Sequence, residues 1–290
     1  MNVSRETDTP LAAAAEAAAR VRSGRVQPFP RPERTRIVSV ANQKGGVGKT
    51  TSTVNLAAAL AVSGQRVLVI DLDPQGNAST ALGVAHHVGT PSVYEALVDD
   101  KPLAEAAVAV EGLPNLTVVP STIDLAGAEI ELVSMVARET RLKRALAAYL
   151  DEVAADYVLI DSPPSLGLLT LNGLVAAAEI LIPIQCEYYA LEGLGQLLSN
   201  VDLVKSHLNP QLSVSAFLLT MHDGRTRLAA QVADEVRRHF GQQVLRTAIP
   251  RSVRLSEAPS YGQTVLTYDP GSPGALAYIE AAAEFALMGR

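Results

Sequence analysis

IVSVANQKGGVGKTT, residues Ile37 to Thr51, runs a β-branched, apolar opening into a glycine-rich loop, and from Lys49 onward the sequence turns helical. A strand, a loop and a helix in that order make a cradle for phosphate. Gly45, Gly46 and Gly48 lack the Cβ atoms that would stop the backbone N–H groups closing round an anion. The helix that begins here points the positive end of its dipole at the same spot. Lys49 supplies a cation for β- and γ-phosphates, and Thr50 a hydroxyl for Mg²⁺. The residues expected around the ligand are Lys44, Gly45, Gly46, Val47, Gly48, Lys49, Thr50 and Thr51.

The common pattern G-x-x-x-x-G-K-[ST] fails at its first position, where Gln43 stands in place of glycine, and a second lysine, Lys44, follows it. Two lysines in one tight loop repel each other, so the expected occupant is an anion of several charges. With these residues, KGGVGKT resembles the deviant Walker A loop of the ParA/MinD group of P-loop ATPases. That resemblance implies ATP as the ligand, and a Lys44 that reaches the nucleotide of a partner subunit. The wider group offers DNA segregation, division-site placement, nitrogenase-type iron proteins, and anion-pump or scaffold ATPases.

With 290 residues, 48% of them hydrophobic, the chain can bury one large core. Aromatic residues are 4% and Trp is absent, so that core is aliphatic. A net charge of −6 excludes a protein coated in positive charge, while a local basic patch stays compatible with nucleic acid. The single cysteine, Cys186, permits no intramolecular disulfide and fits a reducing compartment. No apolar run approaches the ~18 residues of a membrane span. The Ala-rich run over 11–19 is interrupted by Glu16 and lacks a basic flank, unlike a secretory signal. The chain is read as cytoplasmic.

Residues 1–36 are expected to form a flexible Ala/Pro/Arg-rich tail, and residues 37–290 the ATPase domain. The tail is either a docking segment acting through Arg20, Arg22, Arg25, Arg31, Arg34 and Arg36, or a tolerated extension. Beyond the loop, RVLVIDLDPQGNAST is a buried strand ending in Asp71 and Asp73, where doubly wound sheets place their ligands. Helices are expected over 92–98, 124–133, 138–150, 190–207, 226–240 and 274–287, and strands over LTVVP, YVLID, ILIPI and 212–221. Strands and helices alternate almost throughout. The fold class is therefore α/β, a mainly parallel twisted sheet with helices on both faces.

YVLIDSPPS ends its strand on Asp161, the Walker B position, where a carboxylate holds Mg²⁺ directly or through water. The metal-side set is thus Thr50, Asp161 and Asp71. Phosphoryl transfer to water asks mainly for positioning and charge neutralisation, supplied here by Lys49, Lys44 and the loop amides. Asp73 resembles the catalytic aspartate of the group and Asp71 its metal-side neighbour. The simpler alternative is that one of the pair caps the Asp-Pro turn. Met221 and Pro250 are candidate walls of the adenine pocket.

One cysteine cannot supply the two per subunit that an iron–sulfur cluster shared between subunits needs. The C-terminal stretch ALAYIEAAAEFALMGR carries Glu280 and Glu284 rather than a basic amphipathic face, so it is expected to dock on the core and not on a membrane. Between Arg225 and Arg254 lie seven arginines (Arg225, Arg227, Arg237, Arg238, Arg246, Arg251 and Arg254) against only Asp234 and Glu235. Arginine forks onto phosphate oxygens, and a stripe of it would bind duplex DNA without sequence preference. The alternative for each arginine is a solvated surface side chain.

IPRSVRLSEAPSYGQTVLTYD and GRTRLAAQVADEVRRHF resemble the ParA/Soj C-terminal signature and the helix before it. The similarity extends over about residues 36–287. It implies DNA contacts through Arg225 and Arg254, with Arg227 and Arg251 as further candidates. It also implies an ATP-dependent homodimer, nucleoid association, and a ParB-type centromere-binding partner that stimulates hydrolysis. The competing reading is a nucleotide-gated scaffold that positions a protein cargo.

Overall fold

A computed structural model describes residues 26–187 and 192–288, together with Glu16, Ala18, Ala19 and Val21. Arg20, Arg22 and Arg25 of the expected tail lie outside the described residues. Among the described residues seven strands form one sheet: β1 (Arg36–Val40), β2 (Val67–Asp71), β3 (Val108–Ala109), β4 (Leu116–Val119), β5 (Tyr157–Asp161), β6 (Glu179–Gln185) and β7 (Ser213–Thr220). Their spatial order is β3-β4-β2-β5-β1-β6-β7. Every pairing is parallel except that of β3, a two-residue antiparallel edge with too little sequence to carry a pattern.

Alternate residues of each central strand enter separate cores. Val38, Val69 and Leu159 face one core, and Ile70, Ile160 and Ile182 the other. A sheet covered on both faces explains why the strands read as unbroken apolar runs. The first core is closed by α1 (Lys49–Val62) and by the last helix, α11 (Pro273–Met288), which buries Tyr278, Ala281, Ala282 and Phe285 against it. The C-terminal helix is docked, as its composition foretold.

The second core is closed by α3 (Val93–Val98), α4 (Leu125–Val133), α5 (Arg141–Glu152), α6 (Leu168–Ala176), α7 (Glu192–His207) and α8 (Arg227–Phe240). Two of these starts follow local capping chemistry. Ser92 and Glu95 form a reciprocal capping box, and the Thr226 hydroxyl accepts from Ala229 N. The short α2 (Asn77–Ala81), α9 (Val253–Glu257) and α10 (Val265–Tyr268) lie in the connections.

Packing begins before β1. Phe29 N donates to Ser63 O at 3.0 Å, and Gln65 Nε2 donates to Phe29 O at 2.7 Å. Arg36, counted among the tail's arginines in the sequence, is instead the buried first residue of β1. Its guanidinium forks onto Glu179 at 2.6 and 2.7 Å, donates to Phe285 O at 2.8 Å and lies 4.2 Å over the Phe285 ring. Burial and pairing leave it no part in docking.

Candidate functional site

The C-terminal ends of β1, β2 and β5 bring three sequence signals to one point. Asp71 and Asp161 are register partners on adjacent strands. The loop after β1 turns on Gly46 (φ 74°) and Gly48 (φ 87°), left-handed conformations that favour glycine, and Gly48 is the N-cap of α1. A Cβ added at Gly45 or Gly46 would meet no protein atom within 4 Å. The missing side chains therefore leave open space at the loop rather than room for packing.

A cavity of about 680 Å³ opens at this loop. It is walled by Gly45, Gly46, Gly48, Lys49, Thr50 and Thr51 on one side and by Asp73, Gln75, Asn77 and Thr80 on another, with Pro164, Met221 and Pro259 beyond them. Its size suits a drug-sized or nucleotide-sized ligand. Met221 enters with φ 51°, an uncommon conformation for a side-chain-bearing residue. Pro250 does not line the cavity, but its bridge to His222 sets it beside that wall. Val47 is buried and holds the loop down, its carbonyl accepting from the Thr220 hydroxyl at 2.8 Å.

Lys49 folds back over the loop, and its Nζ donates to Lys44 O at 3.2 Å. Burial lowers its pKa, against the opposing pull of Asp161 and Asp73. Lys44 is half-buried, and among the described residues no carboxylate pairs with its ammonium. Thr50 Oγ1 donates to Asp161 Oδ2 at 2.7 Å, and Thr53 Oγ1 donates to Oδ1 at 3.1 Å. Burial, then the Asp71 charge, push the Asp161 carboxyl up to about 8. A buried acid whose two oxygens meet only hydroxyl donors is suited to a nearby cation. Among the described residues no group of three His, Cys, Asp or Glu could hold a metal. The donors present fit Mg²⁺ carried on a phosphate and steadied by Thr50 and Asp161, since that ion keeps waters and takes few protein ligands.

Asp71 and Asp73 do different work. Both oxygens of Asp71 are engaged: Oδ1 accepts from Asp73 N at 3.1 Å, and Oδ2 from Ser79 N at 2.9 Å and Ser79 Oγ at 2.7 Å. Burial raises its pKa to about 6 against those bonds. It closes the 71–79 loop into a ring. Asp73, by contrast, lines the cavity, and its Oδ1 accepts from Gln75 N at 3.0 Å while Gly76 N donates to its carbonyl at 2.9 Å. The turn anticipated from Asp-Pro thus exists and fixes Asp73 at the cavity wall. Ser79, Thr53 and Pro259 carried no signal of their own in the sequence.

The arginines divide into two groups. Arg251 N donates to His222 O at 3.1 Å, which brings Arg251 beside the loop that carries Arg225. Arg227 is the exposed first residue of α8, and Arg254 lies in α9. Arg237 and Arg238 lie ten and eleven residues beyond Arg227, about 15 Å along the helix. Arg237 Nη2 donates to Arg246 O at 3.1 Å. Arg237 and Arg246 therefore meet at the far end of α8, apart from Arg225 and Arg251.

Arg225, Arg251 and Arg254 are also less bare than their sequence window implied. Arg225, 90% exposed, forks onto Asp223 at 2.9 Å for both bonds. Arg251 pairs with Glu187 at 3.3 Å, and Arg254 with Glu257 at 3.1 Å and Asp269 at 3.3 Å. These acids come from outside residues 225–254, where the sequence tally looked for them. Exposed pairs of this kind are weak and can exchange for phosphate.

A family model described as an AAA domain matches residues 35–214. The chain is 54% identical over 254 residues to the sporulation initiation inhibitor protein Soj of Bacillus subtilis, covering 88% of this chain and 99% of that protein. It is 53% identical over 244 residues to the chromosome partitioning protein ParA of Myxococcus xanthus, covering 84% and 85%. Among solved structures, it resembles one described as cobyrinic acid a,c-diamide synthase from Mycobacterium smegmatis with bound ADP and magnesium. That likeness has 41% identity and a TM-score of 0.74, and covers 86% of this chain and 93% of that one. Among the described residues no helix is long and apolar enough to cross a membrane.

Proposed function

The chain belongs to the ParA/Soj family of partitioning ATPases, and from that premise we propose that it is an Mg²⁺-dependent ATP switch whose nucleotide-joined dimer grips DNA. The observation that carries the reading is Lys44: a half-buried cation at the loop of the nucleotide-sized cavity, with no carboxylate of its own among the described residues. A like charge beside Lys49 is stabilised when a polyphosphate lies between them, and a second subunit brings a second such lysine.

In this mechanism the loop amides, Lys49 and the start of α1 bind the phosphates, and Thr50 with Asp161 would hold a Mg²⁺ whose charge would neutralise them. Asp73 orients the attacking water, while Asp71, clasped to Ser79, keeps the Asp73 loop in place. Lys44 of each subunit reaches the nucleotide of the other, so ATP joins the pair and hydrolysis releases it. Two subunits present Arg225 and Arg254 twice over, with Arg227 and Arg251 beside them, which raises weak backbone contacts to useful avidity. A basic peptide of a ParB-type partner would speed release, and the DNA track would be the nucleoid.

The test is duplex binding by the protein with ATP and Mg²⁺, with ADP, and with no nucleotide, in the parent and in Arg225→Ala plus Arg254→Ala. Binding that needs ATP, falls steeply with salt and disappears in the double variant supports the reading. A parent that ignores DNA in every nucleotide state points instead to a nucleotide-gated scaffold for a protein cargo.

A further inference from the structure

We propose that Asn55 is a positioning residue that couples the nucleotide cavity to the segment holding Arg254, an inference that rests on the DNA-binding reading of that arginine. Asn55 lies in the second turn of α1 and is 3% exposed. Its Nδ2 donates to Thr51 O at 2.8 Å, and its Oδ1 accepts from Val265 N at 2.8 Å. Thr51 is a wall of the cavity, and Val265 is the first residue of α10. One buried amide thus joins the phosphate loop's helix to a helix 210 positions away in the chain.

The far end of α10 is where Arg254 is held. Asp269, the residue after its last turn, meets Arg254 Nε at 3.3 Å, and the guanidinium carbon lies 6.0 Å from the centre of the Tyr268 ring. Thr264, which precedes α10, offers no side-chain cap, so Asn55 supplies from another element the acceptor that this helix start lacks. A movement of α1 that follows the phosphates reaches Arg254 through four residues and a single helical turn.

A second contact joins the same segment to the opposite wall. Gly83, three residues beyond cavity-lining Thr80, passes backbone against backbone with Gly262, and a Cβ built on Gly83 would stand 2.7 Å from Gly262 O. Both glycines are left-handed, with φ of 68° and 63°. Pro259, between Arg254 and Gly262, lines the cavity directly. The 253–269 segment is therefore pinned to both the Lys49 side and the Asp73 side of the site.

Coupling of this kind is reciprocal: if the triphosphate tightens DNA binding by some factor, DNA tightens triphosphate binding by the same factor. The test measures both in the full-length protein, with a non-hydrolysable ATP analogue and Mg²⁺, ADP, and a duplex of arbitrary sequence. In the parent, duplex affinity with the analogue exceeds that with ADP by about ten-fold or more. In Asn55→Leu that ratio falls to about two-fold or less, and the duplex's effect on analogue affinity shrinks by the same factor. Affinity for ADP and the thermal midpoint without DNA separate this from a general loss of structure.

Should Asn55→Leu not fold, Asn55→Ala carries the same expectation, because it removes the acceptor for Val265 N without adding apolar bulk to the helix. A folded variant that retains the parent's ratio overturns the coupling while leaving the DNA reading intact. A parent whose duplex affinity does not depend on nucleotide overturns the reading and the coupling with it.

Discussion

The Thr50 hydroxyl donates a hydrogen bond to Asp161 Oδ2 at 2.7 Å, which joins the first turn of α1 to the last residue of β5 inside a site where both would face a metal. Without a cation the arrangement is costly, because Asp161 is fully buried and Asp71 lies on the next strand. The Asp161 carboxyl is raised to about 8, so the folded state holds its proton more tightly than the unfolded chain does. The stability that proton lends is complete below the ordinary carboxylate range near pH 4 and is lost as pH rises through about 8. In metal-free protein, Asp161→Asn should become progressively more stable than the parent between those limits. It should also lose Mg²⁺-dependent hydrolysis. Thermal melts across pH, with and without Mg²⁺ and ADP, check both; a destabilisation by Asp161→Asn that grows with pH would contradict the assignment.

Lys49 and Lys44 should separate on substitution. Lys49 is buried against the loop it closes, so Lys49→Ala removes a phosphate ligand and weakens ATP and ADP alike by about ten- to a hundred-fold. Lys44→Ala leaves the loop carbonyl and the Asn42 contact to its backbone in place, so ADP binding stays within about two-fold of the parent. ATP-driven dimerisation is what it should lose. Calorimetry with ADP and light scattering with an ATP analogue read the two effects. Normal dimerisation by Lys44→Ala would end the argument for a lysine working across the interface.

Asp73→Ala tests the division of labour between the two aspartates of the 71–79 loop. Asp73 touches the cavity and carries one local bond from Gln75 N, so its removal should spare folding and slow hydrolysis by about a hundred-fold or more, leaving a long-lived ATP dimer. Asp71→Ala cuts three bonds in a buried ring and should instead lower the melting temperature and mobilise α2. Single-turnover hydrolysis and hydrogen exchange over residues 71–81 distinguish them. Equal effects of the two substitutions on hydrolysis, with equal stability, would erase the distinction.

How far these residues could be read from the chain depends on where their partners lie. The P-loop and the ends of β2 and β5 were legible because glycines and carboxylates punctuate apolar strands, and a parallel sheet puts strand ends together. Helix α6 was not, since Leu168–Ala176 is apolar on nearly every side and a fully buried helix shows no 3.6-residue alternation. Asn55 sat unnoticed in an Ala-rich helix, for its meaning comes from an amide 210 positions downstream. The arginine cluster was over-counted for the same reason. Glu187, Glu257 and Asp269 approach it only through the fold, and α8 carries Arg237 and Arg238 away from Arg227.

At the opposite end of the sheet, Asp156 gives an acid-side prediction that does not involve the site. Its carboxylate is buried and accepts from Arg66 N at 2.7 Å, Nε at 3.1 Å and Nη2 at 2.7 Å, with Arg31 3.8 Å away. Burial alone would raise this carboxyl, but the bonds and charge of Arg66 outweigh it and the net shift is downward. The resulting stability is present above the ordinary carboxylate range and disappears as pH falls through the lowered value. Asp156→Ala should thus cost about 1–3 kcal/mol near neutral pH, largely from the Arg66 N–H left without its acceptor. The gap between parent and variant should narrow below about pH 4, as the charge-dependent part is lost. Urea melts at a series of pH values measure it, and a gap that widened on acidification would reverse the sign of the argument.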